Sequence, residues 1–102
     1  MARSQGTFLV LMALLEGPKH GYEVSKFIEA QSSGFFRMPF GTLYPILHRL
    51  EKNGFVTCTV EASGAEREKK VYRLTASGKK QAEGEVSEYQ LFTRAVNKLM
   101  PG

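Results

Sequence analysis

Gly41-Thr42-Leu43-Tyr44-Pro45-Ile46-Leu47-His48-Arg49-Leu50-Glu51-Lys52-Asn53-Gly54-Phe55-Val56-Thr57-Cys58-Thr59-Val60-Glu61 changes its apolar period halfway along. Leu43, Ile46, Leu47 and Leu50 fall at i, i+3, i+4 and i+7, which is one face of a helix over residues 41–53. Pro45 is expected in the first turn of that helix, where backbone N–H groups lack helical partners. Asn53 and Gly54 supply a left-handed stop. Beyond them Val56, Cys58 and Val60 alternate with Thr57, Thr59 and Glu61, the period of two of a half-buried strand. A helix runs straight into a strand, with the turn at Gly54.

Upstream, Val24, Phe27, Ile28 and Gln31 repeat the helical spacing over residues 21–31, and Ser32, Ser33 and Gly34 end it. Residues 35–39 read as a short extended link. Residues 7–16 hold an unbroken apolar run, Phe8-Leu9-Val10-Leu11-Met12-Ala13-Leu14-Leu15, compatible with a buried strand or with a helix apolar all round. The Leu, Met and Ala content and the following Gly17-Pro18 favour the helix. A helix apolar on every side needs cover on every side, so part of it is expected to meet a second subunit. Downstream, residues 69–74 form a second strand, with Tyr72 and Leu74 on one face and Val71 and Arg73 on the other; the charged residues 63–68, with Gly64 among them, make the hairpin. Thr75 caps a last helix whose stripe is Ala82, Val86, Tyr89, Phe92, Val96, Leu99 and Met100.

Three helices, a charged two-stranded hairpin and a trailing helix give an α+β, mostly α class: a winged helix-turn-helix with a C-terminal dimerisation helix. Residues 1–78 form the DNA-binding unit, and residues 79–102 the dimerisation helix of the same compact body. The 102 residues make one domain and exclude a two-domain enzyme. Fourteen Lys and Arg against ten Glu, with no Asp, leave a charge of +4. The excess is local, because Arg67, Lys69, Lys70, Arg73, Lys79 and Lys80 stand with a single acid, Glu68, among them. That is the electrostatic footprint of a polyanion partner. Opposite the leucine stripe of the third helix lie Gly41, Tyr44, Pro45, His48, Arg49 and Lys52, several of them donors and none a carboxylate. Taken alone, this face reads equally as the solvated side of an amphipathic helix.

Other chemistry finds little support. The longest apolar run is far below the roughly 18 residues needed to span a bilayer, so a soluble, cytoplasmic protein without a membrane partner is expected. His20, His48 and Cys58 give three N or S ligands where structural zinc takes four, so neither metal nor cofactor is expected. Cys58, between Val56 and Val60 by alternation, reads as a small buried hydrophobe. No catalytic set or phosphate loop stands out, and the chain is read as no enzyme.

His20-Gly21-Tyr22-Glu23, Gly41-Thr42-Leu43-Tyr44-Pro45, His48-Arg49-Leu50-Glu51 with Asn53-Gly54, and Tyr72-Arg73-Leu74-Thr75 with Gly78 resemble the PadR family of bacterial transcriptional regulators. The resemblance implies a homodimeric repressor on a two-fold related operator in double-stranded DNA. It places DNA contacts at Tyr22, Gly41, Thr42, Tyr44, Pro45 and His48, and puts Arg67, Lys69 and Lys70 on phosphates; Arg49 and Lys52 join them from the helix face. A single trailing helix is similar to the short class of the family, in which that helix packs with the first across the dimer axis. The expected interface is Phe8, Leu9, Leu11, Met12, Leu15, Val86, Tyr89, Phe92, Val96 and Leu99. Some short members bind a small hydrophobic effector between the trailing helices by stacking on tryptophan; this chain has no Trp, and Tyr89 and Phe92 are the rings at hand. The alternative is a winged-helix protein-interaction module that does not bind DNA.

Overall fold

The structure, a computed structural model, describes residues 5–63 and 67–102, with the side chains of residues 62–68 left undescribed. The tip of the expected hairpin, residues 64–66, and the side chain of Arg67 therefore lie outside the described residues. Helix α1 spans Gln5–Glu16 and buries Thr7, Val10, Leu11, Ala13 and Leu14, while Phe8, Leu9, Met12 and Leu15 are half-buried. It stops because Gly17 and Pro18 follow, and because Lys19 reaches back to its end. The Lys19 ammonium donates to the carbonyls of Ala13 (2.9 Å) and Gly17 (3.3 Å), pairs with the Glu16 carboxylate, and lies 4.4 Å from the centre of the Phe27 ring. A cation there satisfies the last carbonyls and opposes the negative end of the helix dipole.

Lys19–His20 form a two-residue strand, β1, absent from the sequence reading, which leads directly into α2, Gly21–Gln31. α2 buries Val24 and Ile28 and is fastened at its start by Glu23. The Glu23 carboxylate accepts from the His20 backbone N–H at 2.8 Å and lies 2.8 Å from His20 Nδ1. The backbone donor first, then the His20 ring and the nearby Lys19 charge, hold this carboxyl below the usual range against the opposing effect of burial. At the other end Ser33 and Gly34 take positive φ, 53° and 81°, and turn the chain. The Ser25 hydroxyl then donates to the Met38 carbonyl (2.7 Å), pinning the connecting loop to α2 and seating Met38 in the core.

Helix α3, Phe40–Lys52, buries the expected Leu43, Ile46, Leu47 and Leu50. It begins one residue earlier than the sequence suggested, so Pro45 sits in the second turn rather than the first. Leu43 N–H already donates to the Pro39 carbonyl, which means that Pro45 removes the bond that Gly41 would otherwise receive. Gly41 is exposed, and water can take the vacated acceptor. Gly54 supplies the left-handed stop, φ 80°, with Phe55 N–H donating to the Leu50 carbonyl.

Strands β2, Val56–Ser63, and β3, Arg67–Leu74, pair antiparallel with Val56 opposite Leu74, Cys58 opposite Tyr72 and Glu61 opposite Lys69. β1 adds to the far edge of β3, Lys19 opposite Tyr72, giving the order β1-β3-β2. One expectation from alternation fails here. Val60 is exposed rather than buried, because the ribbon runs out past the helices and only its inner end packs. Val71, on the face opposite Tyr72, is buried because β3 is the central strand and His20 and Thr59 flank it. Cys58 is half-buried against the core beside Tyr72. Burial, then the Cys58 thiol and the Tyr44 and Glu51 side chains, push the Tyr72 hydroxyl up to about 12.

Thr75 joins the ribbon to helix α4, Ala76–Leu99. Its N–H donates to the Phe55 carbonyl (3.0 Å), its hydroxyl donates to the Gly54 carbonyl (2.7 Å), and the same oxygen accepts from Gly78 N–H (3.0 Å). Only Gly78 and Ala82 of α4 are buried. At about 1.5 Å per residue the helix is some 36 Å long, and it accounts for the 57 Å extent of a body only 29 by 21 Å across. No helix among the described residues is long and apolar enough to cross a membrane.

The two helix glycines predict opposite effects. A Cβ at Gly78 would overlap the Phe55 carbonyl, whereas nothing lies within 4 Å of one at Gly84. Gly78→Ala is expected to lower stability by about 1–3 kcal/mol, and Gly84→Ala to raise it by about 0.5–1 kcal/mol, read from urea unfolding of the two variants. By the same measurement Lys19→Met should cost about 1–3 kcal/mol, because it leaves the Ala13 carbonyl buried without its donor; a neutral result would mean that water replaces the ammonium.

Candidate nucleic-acid interface

α3 presents Gly41, Thr42, Pro45, His48, Arg49 and Lys52 as exposed residues on the side away from its leucines. Glu51, the one carboxylate of the helix, lies at the margin near Tyr72. Tyr44 differs from the others. It is half-buried, and a Cβ on Gly21 would overlap its hydroxyl. Gly21 thus lets the start of α2 approach α3 through the Tyr44 ring. The ring centre of Tyr44 also lies 5.8 Å from that of Phe40 and 6.5 Å from that of His48, so an aromatic row at i, i+4, i+8 runs along one flank of α3. Tyr22, on the first turn of α2, is exposed with the Lys26 ammonium 5.4 Å from its ring centre.

On the ribbon, Lys69 and Lys70 are both exposed, and the register separates them. Neighbouring residues of a strand project to opposite faces, and residues directly across share one. Lys69 shares a face with Glu61, its direct cross-strand partner, and with His20. Glu61 Oε1 is also 3.9 Å from His20 Nε2, a buried atom with no hydrogen-bond partner among the described residues. Lys70 stands across from Val60, on the face that carries Tyr72 and Val56 towards the helices. Of the two, Lys70 is therefore the cation without a carboxylate directly across from it. Arg73, at the inner end of β3, and Lys79 and Lys80, at the start of α4, are also exposed.

A second surface is apolar. Tyr89, Phe92 and Leu99 of α4 and Met100 just after it are all more than half exposed, with Phe92 at 64% and Leu99 at 84%, while Leu91, also exposed, lies on the other side of the helix from Tyr89. Val86 and Val96 are half-buried between them and the body. Phe8 extends the surface onto α1, its ring 5.5 Å from that of Tyr89. Leu9, Met12 and Leu15 keep part of their surface free. Leu11 does not: it is 0% exposed within this chain's own core and has nothing to offer a partner, a correction to the sequence expectation. A helix apolar all round still has one side facing inward, and Leu11 is on it. Leu91, Met100 and Phe40 are exposed apolar residues that the sequence reading placed in neither candidate surface. Phe40 lay between an extended link placed at 35–39 and a helix placed from Gly41, so the periodicity had no place for it.

The chain matches the transcriptional regulator PadR-like family over residues 10–84. It is 31% identical over 74 residues to the negative transcriptional regulator PadR of Bacillus subtilis, a match that covers 72% of this chain and 41% of that protein. The chain thus corresponds to less than half the length of that relative. Among solved structures, a transcriptional regulator from Clostridium thermocellum is similar with a TM-score of 0.80 and 29% identity over 93% of this chain and 92% of that one. Bacillus subtilis PadR in complex with operator DNA is similar with a TM-score of 0.72 and 29% identity, over 78% of this chain and 45% of that one. The arrangement of helices, ribbon and trailing helix is that of a winged helix-turn-helix, and the matched family consists of transcriptional regulators, not enzymes. With three quarters of its length inside the family's pattern, the chain belongs to the PadR-like family of transcriptional regulators.

Proposed function

We propose that the chain is a homodimeric repressor that binds a two-fold related operator through α3 and the ribbon. The observation that carries this reading is the face of α3: six exposed positions with donors and cations and no carboxylate among them, beside a ribbon whose Lys70 has no acid directly across. Within the unit of residues 1–78, Tyr22, Gly41, Thr42, Tyr44, Pro45 and His48 approach base edges and nearby phosphates. Arg49, Lys52, Arg67, Lys69 and Lys70 hold the backbone, since phosphate contacts set position and base contacts set sequence. The operator-bound Bacillus subtilis relative supports the same partner class.

Residues 79–102 serve as the dimerisation helix. Phe8, Leu9, Met12 and Leu15 with Val86, Tyr89, Phe92, Val96 and Leu99 form the contact, and Met100 widens it. So much exposed apolar surface on one side of a small protein marks an association site. The dimer presents two α3 helices about 34 to 36 Å apart, one duplex turn. A small hydrophobic effector acts between the trailing helices, where Tyr89 and Phe92 offer rings, by favouring one crossing of α4 over another. The protein works in the cytoplasm, where the DNA is.

Sedimentation at micromolar concentration should give a dimer without DNA, and Phe92→Glu should weaken association at least about tenfold, since burying one such side chain is worth about 1.5–3 kcal/mol; a monomeric wild type would remove the basis for the two-fold operator. Anisotropy with duplex DNA should show a loss of about a thousandfold or more between 50 and 200 mM salt if six or more phosphates are contacted. Lys70→Ala should weaken specific and scrambled duplexes alike and reduce the salt slope by about one, with a smaller effect for Lys69→Ala, whereas His48→Ala should change the order of preference among sequences. Absence of binding to either duplex at low salt would favour the protein-interaction module instead.

A further inference from the structure

Phe40, the first residue of α3, is 48% exposed although it lies only three positions before the buried Leu43. The core at that end is closed by Met38, 4% exposed, held there by the bond from Ser25 to its carbonyl. Phe40 is left on the flank, its ring against the edge of Tyr44. The next two residues, Gly41 and Thr42, are small and exposed, so nothing bulky stands in front of the ring along the helix. Further along α3 the exposed groups are His48, Arg49 and Lys52, with Glu51 at the margin, and just before the helix stands Arg37, whose guanidinium is 3.9 Å from the Glu29 carboxylate. The apolar surface of α4 belongs to a different part of the body, since α4 packs on α1 and β3.

An exposed apolar ring at the leading end of a helix whose outer face carries donors and cations fits a partner that is anionic overall and apolar at one point. The first residues of such a helix reach base edges. In the major groove the edge of a base pair offers one apolar group, the C5 methyl of thymine. We propose that Phe40 is a specificity-determining residue that covers a thymine methyl in each half-site and so selects an A·T pair there. The inference rests on the DNA-binding reading above and adds to it the base that one side chain selects. Tyr44 supports it by fixing the ring from behind, itself fixed by the space that Gly21 leaves.

The test separates the two layers. The full chain first selects duplexes from a pool with a randomised centre; if no sequence is enriched, the DNA-binding reading falls, and the assignment of Phe40 falls with it. On an enriched duplex each thymine is then replaced in turn by deoxyuridine, which deletes the methyl and leaves pairing intact. At one position per half-site the replacement should weaken the wild type about fourfold, the value of one buried methyl-sized group. The same replacement should leave Phe40→Ala and Phe40→Gln unaffected, two variants run together so that a folding defect in one does not hide the result. Selected DNA with no methyl-sensitive thymine, or a methyl effect that survives in both variants, overturns the assignment and leaves the DNA-binding reading standing.

Discussion

The geometry of this protein depends on Thr75. Standing between β3 and α4, this one residue ties both to a turn some twenty positions earlier: its backbone and hydroxyl donate to Phe55 and Gly54 just past the end of α3, and its hydroxyl oxygen caps α4 through Gly78. Gly78 makes this closure sterically possible, because any side chain at that position meets the Phe55 carbonyl. The consequence is mechanical. Both ends of the ribbon are fixed to the C-terminal end of α3, and α4 leaves the body in one direction set by the same bonds. The ribbon's register and the aim of the trailing helix are then parts of one joint.

A second close approach holds the other end of α3. Gly21 at the start of α2 receives the Tyr44 hydroxyl, and β1 hooks that start onto β3 by pairing with Tyr72 and Val71. With its two ends fixed, α3 cannot slide relative to α2 or the ribbon without breaking buried contacts. Its remaining freedom is shared with the whole body. α1 lies beneath, its Val10, Leu11, Ala13 and Leu14 in the common core and its other side towards α4. In the proposed dimer, a change in how two trailing helices cross therefore moves each α3 as a rigid piece, which is the kind of displacement that alters half-site spacing without remaking the reading surface.

Much of this was legible in the sequence, for reasons that differ by element. The stripes of α2 and α3 and the cap at Thr75 are local signals, and local signals survive folding when the core agrees with them. β1 was not legible, since two residues have no period and Lys19–His20 becomes a strand only because β3 passes beside it. The depth of the ribbon was misjudged at Val60 because alternation reports faces, not where the covering helices end. Leu11 was assigned to the dimer surface because an all-apolar run carries no phase to mark which side faces in. On the candidate site, the charged and polar members of the α3 face could be read from the helical wheel, while Phe40 could not. Its exposure depends on Met38 filling the core in its place, a tertiary outcome with no local mark.

The distribution of charge and apolar surface over the site suggests how affinity and selectivity are divided. Exposed cations such as Lys52 and Lys70 cost little in the free protein, because water solvates them, and they gain from the release of counterions when phosphates replace that water. They act on any sequence, and Glu61 across from Lys69 moderates rather than directs the attraction. Discrimination needs groups whose gain depends on a close and largely dry fit, since a wrong base matters only when it leaves a contact unmade or a polar group unpaired. In the proposed complex those groups are the row of Phe40, Tyr44 and His48 along one flank of α3, where the exposed Gly41 and Thr42 permit approach and Tyr44 packs against Gly21. The ordering is physically sensible: flexible charged side chains on the outside gather the partner, and preorganised rings nearer the body choose among sequences at little further entropic cost.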